Sequence, residues 1–316
     1  FGLAANDLWA VGANLVILVG ASVAYSGPFT DVRSLSVLGS DDNDTLRIEE
    51  TASGLVSFAS ASPFSLHGAG IDFDGGLGSN SLQMVFTTSR TNTYRPTNLG
   101  AANSGFYQLS GLANTYLSFE GLAPVVVAGL GALNVDATAL AGLNTININD
   151  LNAANDGLSI ITGNGGFESI TFSGFSSLSV LAGNGPDTVN LNSLDPATSL
   201  TSARISGDNT TSTDNSAETL FVGTLPGTVT ATLVASAGPE TYVLGATTVD
   251  DINGQVVVGA LGVAGGIDQL LVNDFGSAFS TSNLTVTSTT INGITFAPAP
   301  DITYNTGEPI GTPYYM

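Results

Sequence analysis

The sequence predicts an all-β chain folded as a parallel β-solenoid (β-helix) with irregular coils, and three observations carry that expectation. A short phrase is written eight times: an acidic or amide residue, usually Thr or Ser, an apolar residue, any residue, and a second apolar residue. The copies start at Asp44, Asn80, Asn144, Glu168, Asp187, Glu218, Glu240 and Asp268. Glycines stand just upstream of most copies, among them Gly39, Gly75, Gly78, Gly163, Gly165, Gly183, Gly185, Gly238 and Gly266. Helical spacing is nearly absent, whereas Val, Ile, Leu, Thr and Phe alternate with small polar residues over four to seven positions. A turn followed by a short alternating strand, repeated along a chain, is the signature of stacked coils.

Many copies have two parts. Ser179 to Leu191 shows both: an alternating strand, the turn Gly183-Asn184-Gly185-Pro186, then Asp187-Thr188-Val189-Asn190-Leu191. Glycine permits positive φ in the corner. Period-two alternation turns Val189 and Leu191 inward and Thr188 and Asn190 outward. Stacking such coils builds one continuous apolar core between parallel sheets. Tandem antiparallel β-sandwiches are the alternative, since they also give short strands separated by turns.

From the N-terminus, Leu15 to Val19 is the most apolar run and reads as a buried strand; it is far shorter than the ~20 residues a membrane helix needs. The wide gap between Asn80 and Asn144 hides a degenerate copy near Tyr116-Leu117-Ser118-Phe119. Residues 87–104, rich in Thr, Asn and Arg, read as a loop excursion or lateral hairpin. Ala137 to Leu143 is the one place where a short helix is expected, and Ser206 to Ala217 reads as a polar loop. The repeat domain spans 1–297. Ala297-Pro298-Ala299-Pro300 opens an extended C-terminal tail, 298–316, whose Ile302, Tyr304, Ile310, Tyr314 and Tyr315 are candidate anchors for assembly.

Composition narrows the partners. The chain has 316 residues, 43% of them apolar, and a formal net charge of −21. Charged residues make up 10%, against roughly 25% in typical soluble proteins. All basic residues are arginines: Arg33, Arg47, Arg90, Arg95 and Arg204. This balance repels phosphate, so nucleic acid and anionic membranes are excluded as partners. There are no cysteines, and a chain of this size does not require disulfides.

The strings Gly39 to Ile48 (GSDDNDTLRI) and Gly183 to Leu191 (GNGPDTVNL) resemble a relaxed form of the calcium-binding nonapeptide of hemolysin-type (RTX) repeats. The layout is similar to the degenerate repeats of very large extracellular proteins of planctomycetes, cyanobacteria and similar bacteria. The resemblance covers roughly the first 297 positions. It implies a secreted, surface or matrix protein with a parallel β-solenoid, and it implies no enzyme activity. In the hemolysin type, calcium sits between consecutive nonapeptides. Here each copy stands alone, and several carry Glu or Asn in the aspartate place.

Two kinds of site follow. No cofactor is required, and Ca²⁺ is the candidate ion because hard cations want several converging oxygens. Its candidate ligands are Asp41, Asp42 and Asp44 in one turn, and Asn184 with Asp187 in another. The second kind is structural. The first residue of each phrase (Asp44, Asn80, Asn144, Glu168, Asp187, Glu218, Glu240 and Asp268) can accept hydrogen bonds from corner amides that the strands leave unpaired. Interchange among Asp, Asn and Glu fits capping better than metal ligation. His67, the lone histidine, reads as a surface residue rather than part of a triad. Asn43, Asn209 and Asn283 head Asn-x-Thr sequons and are candidate glycan acceptors.

The expected function is therefore structural: a subunit of an extracellular filament, sheath or surface layer, joined by head-to-tail or tail-strand contacts between copies of the chain. An adhesin-like module that binds glycans or other surface proteins is the alternative. A β-helix polysaccharide lyase or hydrolase is third, and no catalytic residues are assigned.

Overall fold

The computed structural model describes residues 6–11, 14–19, 22–28, 35–39, 41–50, 70–97, 104–110, 116–140, 145–152, 155–208, 216–235, 238–260, 269–274, 285–286, 290–292, 302–304 and 314–315. Among these there is no helix, and the strands pair mostly in parallel. The chain divides into two compact units, one of residues Phe1–Val135 with Gly165–Phe175, the other of Asp136–Asn164 with Ser176–Met316.

The first unit opens with an antiparallel meander of β1 (Asn6–Val11), β2 (Asn14–Val19) and β3 (Ser22–Pro28). β2, the most apolar run of the sequence, is its middle strand. Two parallel ladders follow. One stacks β4 (Leu35–Leu38), β6 (Ile71–Asp74) and β9 (Tyr116–Glu120). The other stacks β5 (Thr45–Glu49), the first half of β7 (Asn80–Thr97), the first half of β10 (Leu122–Asp136) and β13 (Ile170–Ser173). β1 runs parallel to the outer edge of β5 through Asn6↔Leu46 and Asp7↔Arg47.

Alternation decides what each ladder buries. Leu82, Met84, Val125, Val127, Ile170 and Phe172 line the inside of the second ladder, all at most 2% exposed. Ile71, Phe73, Leu117 and Phe119 do the same for the first. Each such side chain contributes about 1.5–3 kcal/mol on burial. Tyr94 is 0% exposed, stacked on Phe119 and met edge-on by Phe167.

Of the two expectations for residues 87–104, a loop excursion or a lateral hairpin, the described residues form the hairpin. The second half of β7 continues parallel to the second half of β10 and pairs antiparallel with β8 (Ser104–Leu109), which pairs antiparallel with β9. Its Thr, Asn and Arg residues read as loop because one face of the strand is solvated. The other face buries Asn92 and Tyr94.

The second unit begins with the hairpin of β11 (Thr145–Asp150) and β12 (Ser159–Gly163). The expected short helix before it is a turn at Thr138 and Ala139, with Asp136 accepting the Thr138 amide and hydroxyl; residues 141–143 lie outside the described set. A strict rule then holds: each strand pairs in parallel with the strand two later. β14 (Ser177–Gly183), β16 (Ser202–Asp208), β18 (Thr230–Ala235) and β20 (Gln255–Ala260) form one ladder. β11, β15 (Thr188–Leu191), β17 (Thr219–Val222), β19 (Thr241–Leu244) and β21 (Gln269–Val272) form the other. Val189, Leu191, Leu220, Val222, Val180, Ile205, Leu233 and Val256 face inward, each 0% exposed. Outward columns match as well: Asn190 donates to Asn147 at 2.9 Å and Asn192 to Asn149 at 3.0 Å across the β11–β15 stack.

The C-terminal segment is not a free extension. β24 (Ile302–Tyr304) pairs in parallel with β20, and β25 (Tyr314–Tyr315) with β21, so both ladders gain one more strand. The hairpin of β22 (Thr285–Val286) and β23 (Thr290–Asn292) lies antiparallel along the other side of β24. Of the tail anchors, Ile302, Tyr304, Tyr314 and Tyr315 are thus engaged within their own chain, while Ile310 lies outside the described residues.

Candidate functional site

The corners at which the phrase begins are the most regular sites of the fold. Each phrase leads straight into a strand: β5, β7, β11, β13, β15, β17, β19 and β21. The first residue is buried in every described copy, at 8% exposure for Asp44, 0% for Asn80, 3% for Glu168 and 1% for Asp187, Glu218 and Glu240. Asn144 and Asp268 lie outside the described residues. The carbonyl of this residue carries the ladder onward. Asp44 accepts from the Ser81 amide, Asp187 from Thr219, Glu218 from Thr241 and Glu240 from Gln269, each at 2.8 Å.

In the Asn80 copy the side chain bonds across the ladder as well. Its Oδ1 accepts the Asp44 amide at 2.8 Å, and its Nδ2 donates to the Leu77 carbonyl at 3.0 Å and the Gly121 carbonyl at 3.4 Å. One amide thus joins three successive levels of the stack. The upstream glycine makes room for it. A Cβ on Gly75 would stand 2.8 Å from Asn80 Cβ and 2.8 Å from the Gly121 carbonyl oxygen, and one on Gly39 would stand 2.9 Å from Asp44 Oδ2.

A corner residue outside the phrase is Glu50, which directly follows β5. Pairing between β7 and β10 is interrupted between Val85 and Ser89, opposite Gly129. Glu50 Oε2 takes the freed amides of Thr87 at 2.8 Å and Thr88 at 2.6 Å, and Oε1 takes Arg90 Nη2 at 2.6 Å. Burial alone would raise its pKa. The Arg90 guanidinium, the Thr88 hydroxyl and the Thr87 and Thr88 amides outweigh that and bring it to about 2. Glu168 is the opposite case. Burial pushes it up to about 7, and Ser169 offsets only part of this, its hydroxyl lying 3.3 Å from Oε1. The Glu168 carbonyl accepts the Tyr94 hydroxyl at 2.7 Å.

The carboxylates that converge are not those the sequence singled out. Among the described residues, Asp150, Asp156 and Asp195 form the group of acidic ligands whose oxygens lie within 4.8 Å of one another. Asp195, 0% exposed, accepts the Ala197 amide at 2.6 Å on Oδ1 and the Asp156 amide at 2.9 Å on Oδ2. Asp150 accepts from Asn152 at 3.2 Å, and Asp156 from Leu158 at 2.9 Å. These carboxylates cap loops. As ligands they supply three side chains, so Ca²⁺, which takes six to eight oxygens, needs further donors.

The candidate ligands from the sequence differ in burial within each turn. Asp41 and Asp42 are exposed while Asp44 is buried; Asn184 is exposed while Asp187 is buried. Asn43, a glycan candidate, is exposed, and its Oδ1 accepts the Ser79 amide at 2.8 Å. Asn209, Asn283 and His67 lie outside the described residues. Three features escaped the sequence reading. Glu50 follows its strand rather than preceding it. Asp195 meets Asp150 and Asp156 only through stacking. Arg204 sits among Ser and Thr residues that carry no motif.

No family model, curated protein or solved structure matches the chain. The fold and its corners define a class: an all-β chain of mostly parallel strands, in which buried acidic and amide residues stand at the head of the phrase strands whose first residue is described.

Proposed function

We propose that the chain is a β-solenoid structural element of an extracellular filament, sheath or surface layer. The observation that carries this reading is the pairing rule of the second unit, each strand parallel to the strand two later from β14 to β21. Such stacking spends nearly all of the sequence on a continuous core and regular corners. It suits a rigid, load-bearing module. The acidic, lysine-free composition and the resemblance to extracellular repeat proteins support the location.

In this reading copies join at the C-terminal end of the ladders. β24 has neighbours on both edges, β20 and β23, so it offers no edge for pairing. β25 has β21 on one side, and its other edge is where a further coil adds, whether from another copy or from a longer chain. Head-to-tail addition there propagates a filament. Negative-stain electron microscopy of the purified chain, with calcium and with chelator, is the test. Uniform fibres, lost when residues 313–316 are removed, support the reading. Isolated short particles under all conditions overturn it in favour of the adhesin-like module.

A further inference from the structure

Arg204 stands apart from the other described arginines. It lies in β16, in register with Ser179 of β14 and Thr232 of β18. Its neighbours Ala203 and Ile205 are buried at 1% and 0% exposure, so Arg204 projects from the opposite, partly exposed face. Arg47 pairs with Glu49 and Arg90 with Glu50. The Arg204 side chain makes no ion pair or hydrogen bond with any described residue. Burial lowers its pKa. It is also the sole basic residue of a unit otherwise rich in Asp and Glu.

The surroundings indicate what would complete it. The positions in register around Arg204 are 177–181, 202–206, 230–234 and 255–259, and none is acidic. Up to the level of Arg204 its face in β14, β16 and β18 carries Ser177, Ser179, Ser202, Thr230 and Thr232, all hydroxyls, with Gln255 and Val257 beyond them in β20; past Arg204 the same face turns to Leu181, Ser206 and Val234, the last two buried. A partly dehydrated guanidinium with no partner is costly, and an incoming anion relieves that cost. Its planar fork matches a carboxylate through two parallel hydrogen bonds. Rows of hydroxyl and amide groups on a flat strand face suit a ligand that carries hydroxyls of its own. The strong negative charge of the chain disfavours dense polyanions.

We propose that the Arg204 face of β14, β16 and β18 binds carbohydrate bearing isolated carboxylates, with Arg204 holding the carboxylate and the Ser and Thr rows the sugar hydroxyls. This does not rest on the filament reading and holds for a monomer or a polymer.

The test is calorimetric titration of the full chain with a tetrasaccharide carrying one glucuronate. The controls are the same tetrasaccharide reduced to glucose at that residue, and acetate. A Kd near about 1 mM or tighter is expected for the acidic sugar, with at least tenfold weaker binding of the reduced sugar and of acetate. Arg204→Gln should weaken the acidic sugar at least tenfold, and Arg204→Lys less, since lysine keeps the charge and loses the fork. Equal binding of acidic and reduced sugars, unchanged binding by Arg204→Gln, or acetate binding as tightly as the sugar would each overturn the assignment. So would the absence of binding at about ten times that concentration. If Arg204→Gln fails to fold, the sugar controls and the lysine variant decide.

Discussion

Gly207 lies directly against the side chain of Glu218, close enough that a Cβ at 207 would overlap Glu218 Cβ and Cγ. The two residues belong to the two halves of one coil: Gly207 near the end of β16, Glu218 just before β17. Glu218 is 1% exposed, so the overlap has no outlet into solvent. Gly207→Ala should therefore cost about 1–3 kcal/mol as an overpacked site. Removing the partner's side chain altogether by Glu218→Gly, which takes away both the Cβ and the Cγ that a Cβ at 207 would meet, should make the alanine substitution nearly neutral. Urea denaturation of the two single variants and the double variant measures the coupling; additive effects would show that the contact is not what holds residue 207 to glycine.

Asn80 joins three levels of the stack with one side chain. Asn80→Ala leaves the Asp44 amide and the Leu77 and Gly121 carbonyls without their acceptor and donor, and a loss of about 2–4 kcal/mol is expected. Asn80→Asp keeps the acceptor for Asp44 but removes the amide donor, and places a carboxylate against two carbonyls. It should fall between wild type and alanine at low pH and approach the alanine variant at neutral pH. Thermal melts at pH 4 and pH 7 check this ordering.

Glu50 and Glu168 set opposite pH slopes. Glu50 is depressed to about 2 from its ordinary 4.5; the stability it contributes is fully present above 4.5 and is lost as pH falls through 2. Glu168 is raised to about 7 from 4.5; its contribution is fully present below 4.5 and is lost as pH rises through 7. Between them, stability should peak in mild acid near pH 4.5. Solvent screening keeps each slope below the full value of about 1.4 kcal/mol per pKa unit. Glu168→Gln should flatten the alkaline side and leave the acid side in place, and Glu50→Gln should do the reverse while lowering stability at pH 7. Chemical denaturation across pH 2–9 gives both slopes, and an unchanged alkaline side in Glu168→Gln would falsify the assignment.

Asp195 caps two loop amides from a fully buried position. Asp195→Ala should destabilise the chain by about 2 kcal/mol even in chelator, because the lost interactions are hydrogen bonds to the Ala197 and Asp156 amides. Asp195→Asn keeps one acceptor and should recover part of the loss. A destabilisation that appears only when calcium is supplied would instead make Asp195 a metal ligand first and a cap second.

Much of this architecture is written locally. The phrase that starts at Asp187 fixes strand, corner and inward face at once, because period-two alternation leaves Val189 and Leu191 no other side to occupy. The same logic placed β15, β17 and β19, each buried where the alternation says. It found β9 behind a degenerate phrase at Tyr116 to Phe119. It left two readings open where polarity and sheet coincide. The second half of β7 reads as loop as well as hairpin because its outward face is Thr and Arg, and only its inward Asn92 and Tyr94 show that it is core.

What the sequence determined by itself is the all-β class of the fold and the places of the described corner residues, since each depends on residues close in the chain. The tertiary structure decided the rest. It brought Asp150, Asp156 and Asp195 together, set Glu50 against the Arg90 corner, paired the C-terminal segment with β20 and β21, and left the Arg204 side chain without a counterion among the described residues. The physical reason is that parallel stacking makes neighbours of residues tens of positions apart, and the variable corner loops set that offset differently at every level. No local pattern in the chain encodes which turn will lie above which.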